Sequence, residues 1–283
     1  MNVQRLALLP ALAVLLSAAL SATVQAKEWD HVRVATEGVF PPFNMATPDG
    51  KIVGFEPDLL EHVCAGLKLS CELVAQSWDG IIPGLLANKY DAIMAGMTIN
   101  DERKKVVDFS IPYTQGDHAF VVLDDSGLTD LPLNGEHISL ADPATAAQQI
   151  EPLKEALKGK TVGVQVSTIQ LAVLNQFFKD DVSVRTYPTF NEAILDLKSG
   201  RVDAVLGSRT NMDSDVDKSN GQLVYSGPGF TGGPLGVGSG MAFRPADDDL
   251  RALFDRGLQQ AIDDGTVKTL SEKWAHRDLT PQP

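Results

Sequence analysis

Arg103 is the first residue whose position asks for a chemical reason. It stands three places past Asn100 in the run Asn100-Asp101-Glu102-Arg103. Asn100 suits the N-cap of a helix, and Asp101 and Glu102 suit the positive end of its dipole. A cation in the same first turn does not. Capture of an anion beside the free amide groups would account for it, and a solvated surface arginine is the alternative. Glu37 follows a short alternating run and precedes the turn Gly38-Val39-Phe40-Pro41-Pro42-Phe43, where its carboxylate either faces a cation in a cleft or sits in a solvated loop. Phe40 and Trp78 offer flat apolar faces, Trp78 being equally readable as a core aromatic. Thr98 and Thr168 offer hydroxyl groups. Anion site, cation site, apolar walls and hydroxyl partners together suit a zwitterion with a long cationic side chain.

Catalytic arrangements are poor by comparison. The five histidines, His31, His62, His118, His137 and His276, are scattered, and none falls at a predicted strand end of a cleft. The sequence contains no GxSxG, no HExxH and no clustered Cys and His, so no metal or cofactor is expected. Gly227, Gly229 and Gly232 make a formal GxGxxG, but prolines and further glycines surround it and no helix is expected to follow, so it is not a nucleotide fingerprint.

The elements that must position these residues alternate. Residues 31–35 read as a strand, and Leu59, Leu60, Val63, Cys64 and Leu67 recur at helical spacing behind Pro57. Residues 71–74 read as a second strand, Ser77-Trp78-Asp79-Gly80 as the turn launching a helix over 80–88, and Ala92-Ile93-Met94-Ala95 as a third strand. This β-α-β-α-β order predicts a mainly parallel sheet with Glu37, Trp78 and residues 95–98 on one edge. Residues 109–122 read as a crossing segment. Residues 124–159 read as irregular and polar, with helix only over about 144–157. A second alternation follows: strand 161–166, helix from Thr168, strand 182–187, helix 191–198 after a Thr189 cap, and strand 202–206. Its strand ends fall at Gln165 to Thr168 and at Gly207-Ser208-Arg209. Residues 226–240 suit a flexible return linker, and 247–264 and 266–275 suit helices. The expected fold is therefore α/β in two lobes, each a mainly parallel sheet flanked by helices, with a ligand cleft between them.

The chain opens with Arg5, a leucine and alanine run, and a Val24-Gln25-Ala26 cleavage pattern, which reads as a signal peptide over residues 1–26. The 283-residue chain would then leave 257 residues, enough for one large domain or for two lobes that each bury a core. The formal charge of -13 becomes -14 without Arg5, which makes nucleic acid an unsuitable partner. Cys64 and Cys71 both lie in the exported part, where a disulfide is the first reading and two buried thiols the second.

ATEGVFPPFN, GFEPDLLEHVC, WDGIIPGL, YDAIMAGMTINDERKKVVDFS, VGVQVSTIQ, DLKSGRVDAVLG and DGTVKTLSEKW resemble, in order and along the whole mature chain, the periplasmic solute-binding proteins of polar amino-acid ABC importers (family 3). The nearest patterns are those of lysine/arginine/ornithine-, histidine- and opine-binding members. The resemblance implies a periplasmic-binding-protein-like II fold that closes about a hinge. It further implies a Cys64 to Cys71 disulfide, a monomer, and delivery of an amino acid or opine to an inner-membrane permease. Lobe one would comprise 27–115 and 231–283, and lobe two 116–230. Arg103 and the Thr168 region would hold the ligand carboxylate and Glu37 its cationic end. Phe40 and Trp78 would flank the stem, Ala95, Gly96 and Thr98 would form the floor, and Gln165 would line the cleft. Ser208 stands where the family usually has an aspartate for the α-ammonium. Opine-binding members share that departure, and Ser208 or Arg209 would then meet a second carboxylate. Some proteins of this fold are dehydratases, for which Glu37 is the one acid placed to serve; binding without catalysis is the expected function.

Overall fold

The computed structural model describes residues 29–281, so the signal-peptide reading lies outside the described residues. The first lobe holds a five-stranded sheet in the order Ser70–Ala75, His31–Thr36, Ala92–Ile93, Ala242–Phe243, Asp108–Phe109. Its first three strands are parallel and Ala242–Phe243 runs antiparallel to both of its neighbours. Val32 and Val34 face a core made by the helices Phe55–Leu67, Asp248–Asp263 and Thr266–Ala275, while Ala35 and Ile93 face Ile81, Leu85 and Tyr90 on the other side. Coverage on both faces is what parallel strands require, and Val32, Val34, Ala35, Ala92 and Ile93 are fully buried.

The second lobe holds a six-stranded sheet in the order Ser183–Tyr187, Thr161–Gln165, Ala204–Ser208, His118–Leu123, Leu223–Thr231, His137–Ser139. Phe120, Phe178 and Phe230 meet edge to face in its larger core, and Tyr187, Phe190 and Ile194 lie in the core of the opposite face. Thr189 caps the helix Phe190–Lys198 through a reciprocal box with Glu192, as its spacing from that residue suggests.

Several element readings are corrected. The stretch read as irregular over 124–159 contains the strand His137–Ser139, and its helix is two helices, Pro143–Gln149 and Glu151–Leu157, broken where Pro152 follows Glu151. The expected third strand is only Ala92–Ile93, because the chain opens out at Met94 toward the Gly96 turn. Residues 226–240 are not a loose linker. Leu223–Thr231 is a full strand, and beyond it Ile99 N bonds Gly238 O at 2.8 Å and Gly240 N bonds Met97 O at 3.0 Å. Gly236 has φ +66 and passes so close to the Ile99 carbonyl that any side chain would run into it. The two crossing segments also bond each other, Tyr113 N to Ser239 O and Ser239 N to Thr114 O, both at 2.8 Å. They form a paired strap between the lobes.

Candidate functional site

The strand ends of both sheets converge on a cavity of about 440 Å³, and all ten residues singled out for the cleft line it: Glu37, Phe40, Trp78, Ala95, Gly96, Thr98, Arg103, Gln165, Thr168 and Ser208. Arg103 reaches it as the sequence suggests. Asn100 Oδ1 accepts from Arg103 N at 2.9 Å, which caps the short helix Asp101–Lys104 and leaves the side chain free to turn inward. There the guanidinium donates to Thr98 O at 2.9 Å and lies 5.2 Å from the Trp78 ring centroid. Its surroundings are poor in water, and burial pulls its pKa down to about 10. Among the described residues no carboxylate pairs with it.

Glu37 is the counterpart. Burial pushes its carboxyl up to about pKa 7, opposed only by a hydrogen bond from Gln165 Nε2 at 2.8 Å. No cation among the described residues reaches it. Gly96 lies beneath Phe40 with φ +60, and a Cβ there would come within 2.8 Å of the Phe40 ring. Under this floor is Glu56, fully enclosed, whose carboxyl accepts from Gly96 N at 2.6 Å, Asn44 Nδ2 at 2.7 Å and the Tyr113 hydroxyl. Glu56 positions the Gly96 turn. In sequence it looks like an ordinary first-turn acid, and nothing there signals its role.

The lobes touch across the cavity mouth. Trp78 Nε1 donates to Ser167 O at 3.1 Å, Ser167 Oγ donates to Asp79 Oδ1 at 2.5 Å, and Asn211 donates to the Pro41 carbonyl. Ser167 holds φ +58, an unfavourable conformation for serine that these two contacts help to retain. Arg277 pairs with Asp213 at 3.0 Å, joining the chain end of lobe one to lobe two outside the cleft. The cleft is closed.

The sequence missed the far wall. His118 and His137 line the cavity, contrary to the expectation that no histidine would, as do Asp117, Gln170 and Thr210. His118 opens a strand, His118–Leu123, that was read as part of a crossing segment, so its start was not counted among the strand ends. The antiparallel register setting His118 opposite Ser208 was the signal lost with it. Arg209 does not line the cavity: its guanidinium lies 4.4 Å from the Tyr225 ring centroid, and its Nε is 3.7 Å from Asp117 Oδ2. Cys64 and Cys71 form a disulfide at a Cα separation of 6.2 Å, tying the first long helix to the edge strand.

A two-lobed α/β fold whose lobes meet over a half-buried cation and a half-buried carboxyl, neither with an ion-pair partner among the described residues, has the form of a small-molecule binding protein. Residues 32–277 match the bacterial extracellular solute-binding proteins, family 3, and the chain belongs to that family. It is 40% identical over 272 residues to the octopine-binding periplasmic protein of Rhizobium meliloti, covering 88% of this chain and 92% of that protein. It is 34% identical over 252 residues to the L-arginine-binding protein of Pseudomonas aeruginosa, covering 88% and 89%. Among solved structures, a periplasmic His/Glu/Gln/Arg/opine family-binding protein from Silicibacter pomeroyi in complex with lysine is similar at a TM-score of 0.71. The two are 31% identical over 88% of this chain and 99% of that one. The chain is the substrate-binding component of an ABC importer. No helix among the described residues is long and apolar enough to cross a membrane.

Proposed function

We propose that the protein is exported through residues 1–26 and works in the periplasm as a monomer. There it binds an amino acid with a cationic side chain, of the arginine, lysine or ornithine type, or an opine derivative of one, and presents it to a membrane permease. The observation that carries this reading is the pair of opposite, partly enclosed charged groups on one cavity, Arg103 and Glu37, neither with an ion-pair partner among the described residues. Leaving a buried charge uncompensated is costly, and a ligand that supplies both partners recovers that cost. Arg103 and the amides near Thr168 hold the carboxylate, Glu37 the cationic end. Phe40 and Trp78 flank the stem, and Ala95, Gly96 and Thr98 form the floor. Lobe 27–115 with 231–283 swings on the paired strap against 116–230, and ligand favours the closed form because only that form contacts it from both sides.

Calorimetry of ligand-stripped protein against arginine, lysine, ornithine and histidine tests this. Heat with one or more is expected, together with its loss in Arg103→Ala. Silence with all four and with octopine, or full affinity in Arg103→Ala, contradicts it. The alternative, a dehydratase, has one observation in its favour: a buried Glu37 titrating near 7 also suits a general acid. Ligand recovered unchanged after long incubation decides for binding without turnover.

A further inference from the structure

Two residues that stand beside the cavity without entering it join the lobes across its mouth. Asp79 follows Trp78 in the single turn Trp78–Gly80 of lobe one, and Ser167 precedes Thr168 in the turn after the strand Thr161–Gln165 of lobe two. Trp78 and Thr168 line the cavity, whereas Asp79 and Ser167 do not. Ser167 Oγ donates to Asp79 Oδ1 at 2.5 Å, a bond strengthened by the carboxylate charge, and Trp78 Nε1 donates to Ser167 O at 3.1 Å. Ser167 is thus gripped from the other lobe through its side chain and its backbone together.

The conformation of Ser167 gives that grip its meaning. At φ +58 a residue with a Cβ is strained, and strain of this kind persists only where the surroundings over-determine it. Its own lobe holds the residues on either side: Val166 N donates to Tyr187 O at 2.9 Å, and Thr168 Oγ1 accepts from Leu171 N at 3.3 Å. The Ser167 hydroxyl, among the described residues, bonds nothing in lobe two; its partner is Asp79.

We infer that Asp79 and Ser167 form a clasp that sets the balance between open and closed lobes, and with it the rate at which ligand leaves, and that Ser167 gives up its strained conformation when the lobes part. The clasp takes from the proposed function only that the lobes open and close. Each clasp residue is the chain neighbour of a cavity residue, so the movement that brings Trp78 and Thr168 onto one ligand also brings Asp79 onto Ser167. A contact made only in the closed form raises affinity for every ligand by the same factor, since it touches none of them. The strain at Ser167 acts against the bond, which keeps the lobes from locking shut when no ligand is present. Asp79 is therefore a positioning residue for closure.

Spin labels on cysteines introduced at Leu86 and Leu195, exposed positions on the two lobes and outside the cavity, report the distance between lobes. In ligand-free protein Asp79→Ala is expected to raise the ratio of open to closed forms about three- to tenfold, in line with the loss of one hydrogen bond. Affinity for arginine and for octopine should fall by a common factor of the same order, through faster dissociation in stopped-flow measurements. Asp79→Asn, which keeps an acceptor but not the charge, is expected to fall between wild type and Asp79→Ala. Joining Asp79→Ala to Ser167→Ala should cost no more than either alone, because both remove the same bond. Ser167→Ala and Ser167→Gly both lack the hydroxyl, yet only alanine must be forced to φ +58, so the glycine variant is expected to bind at least about threefold tighter than the alanine one. Lobe distances and dissociation rates that stay at wild-type values in Asp79→Ala overturn the inference. So does Ser167→Gly binding no tighter than Ser167→Ala, or a loss in Asp79→Ala that differs between arginine and octopine, since a group that tells ligands apart must touch them. Silence with both ligands removes the proposed function and leaves the ligand-free distances to decide the clasp.

Discussion

Glu37 makes ligand affinity depend on pH, and the structure sets the direction. Burial pushes its carboxyl up to about pKa 7, with only the Gln165 amide as a hydrogen-bond partner. A cationic ligand end needs the carboxylate, so binding pulls the pKa down. Affinity for such a ligand is therefore full above pH 7 and falls as pH drops through 7, by about tenfold for each pH unit until the bound-state pKa is reached. About tenfold is lost near pH 6 and about thirtyfold near pH 5.5. The same shift bears on the stability of the protein without ligand. A carboxyl whose folded pKa is raised contributes stability below its ordinary value of 4.5, and that stability is lost as pH rises through about 7. The difference amounts to about 3 kcal/mol of stability lost at high pH when no ligand cation meets the carboxylate. Titration calorimetry between about pH 5.5 and pH 8, in buffers of different ionisation enthalpy, reads both the affinity and the proton released on binding. Glu37→Gln is expected to flatten the profile and to cost about 1.5–3 kcal/mol of affinity near pH 8. A flat wild-type profile without proton release refutes the reasoning. So does a slope that survives in Glu37→Gln, which would move its origin away from this carboxyl.

Gly96→Ala is expected to weaken ligand binding and lower stability by about 1–3 kcal/mol, because φ +60 is strained for alanine and its methyl would displace the Phe40 ring; thermal unfolding and calorimetry on the same sample check this. Trp78→Ala removes both a cleft wall and the bond to Ser167 O, and ligand affinity should fall roughly tenfold to a hundredfold, an unchanged value excluding Trp78 from the wall. Replacing Cys64 and Cys71 together by alanine opens a loop with a sequence separation of 7 and should cost about 2–3 kcal/mol in denaturant unfolding, with ligand affinity unaltered since neither cysteine lines the cavity.

Much of the architecture was legible because it follows from local periodicity. The amphipathic spacing from Leu59 to Leu67, the Thr189 cap and the alternating strand His31–Thr36 carry their signal within a few residues. The near wall of the cleft was legible for a related reason: Asn100 and the acids after it mark a helix start, against which Arg103 is conspicuous. What was hidden depends on contacts between distant segments. Glu56 looks solvated until Gly96, Asn44 and Tyr113 close around it. His118 looks isolated until an antiparallel neighbour sets it beside Ser208. The glycine-rich stretch near Gly236 looks loose, because nothing local shows that its glycines are needed for close approach to Ile99. Arg209, which read as a candidate for an anion, turns away onto Tyr225, a partner sixteen residues on that no local pattern marks.

A crystal structure of the protein with a bound cationic amino acid or its opine derivative tests the central claim most directly. The expected density places one carboxylate about 2.7–3.0 Å from the Arg103 guanidinium, the cationic end on Glu37 and the stem between Phe40 and Trp78. A ligand bound in the reverse orientation, or one that leaves Arg103 bonded to Thr98 O alone, contradicts it.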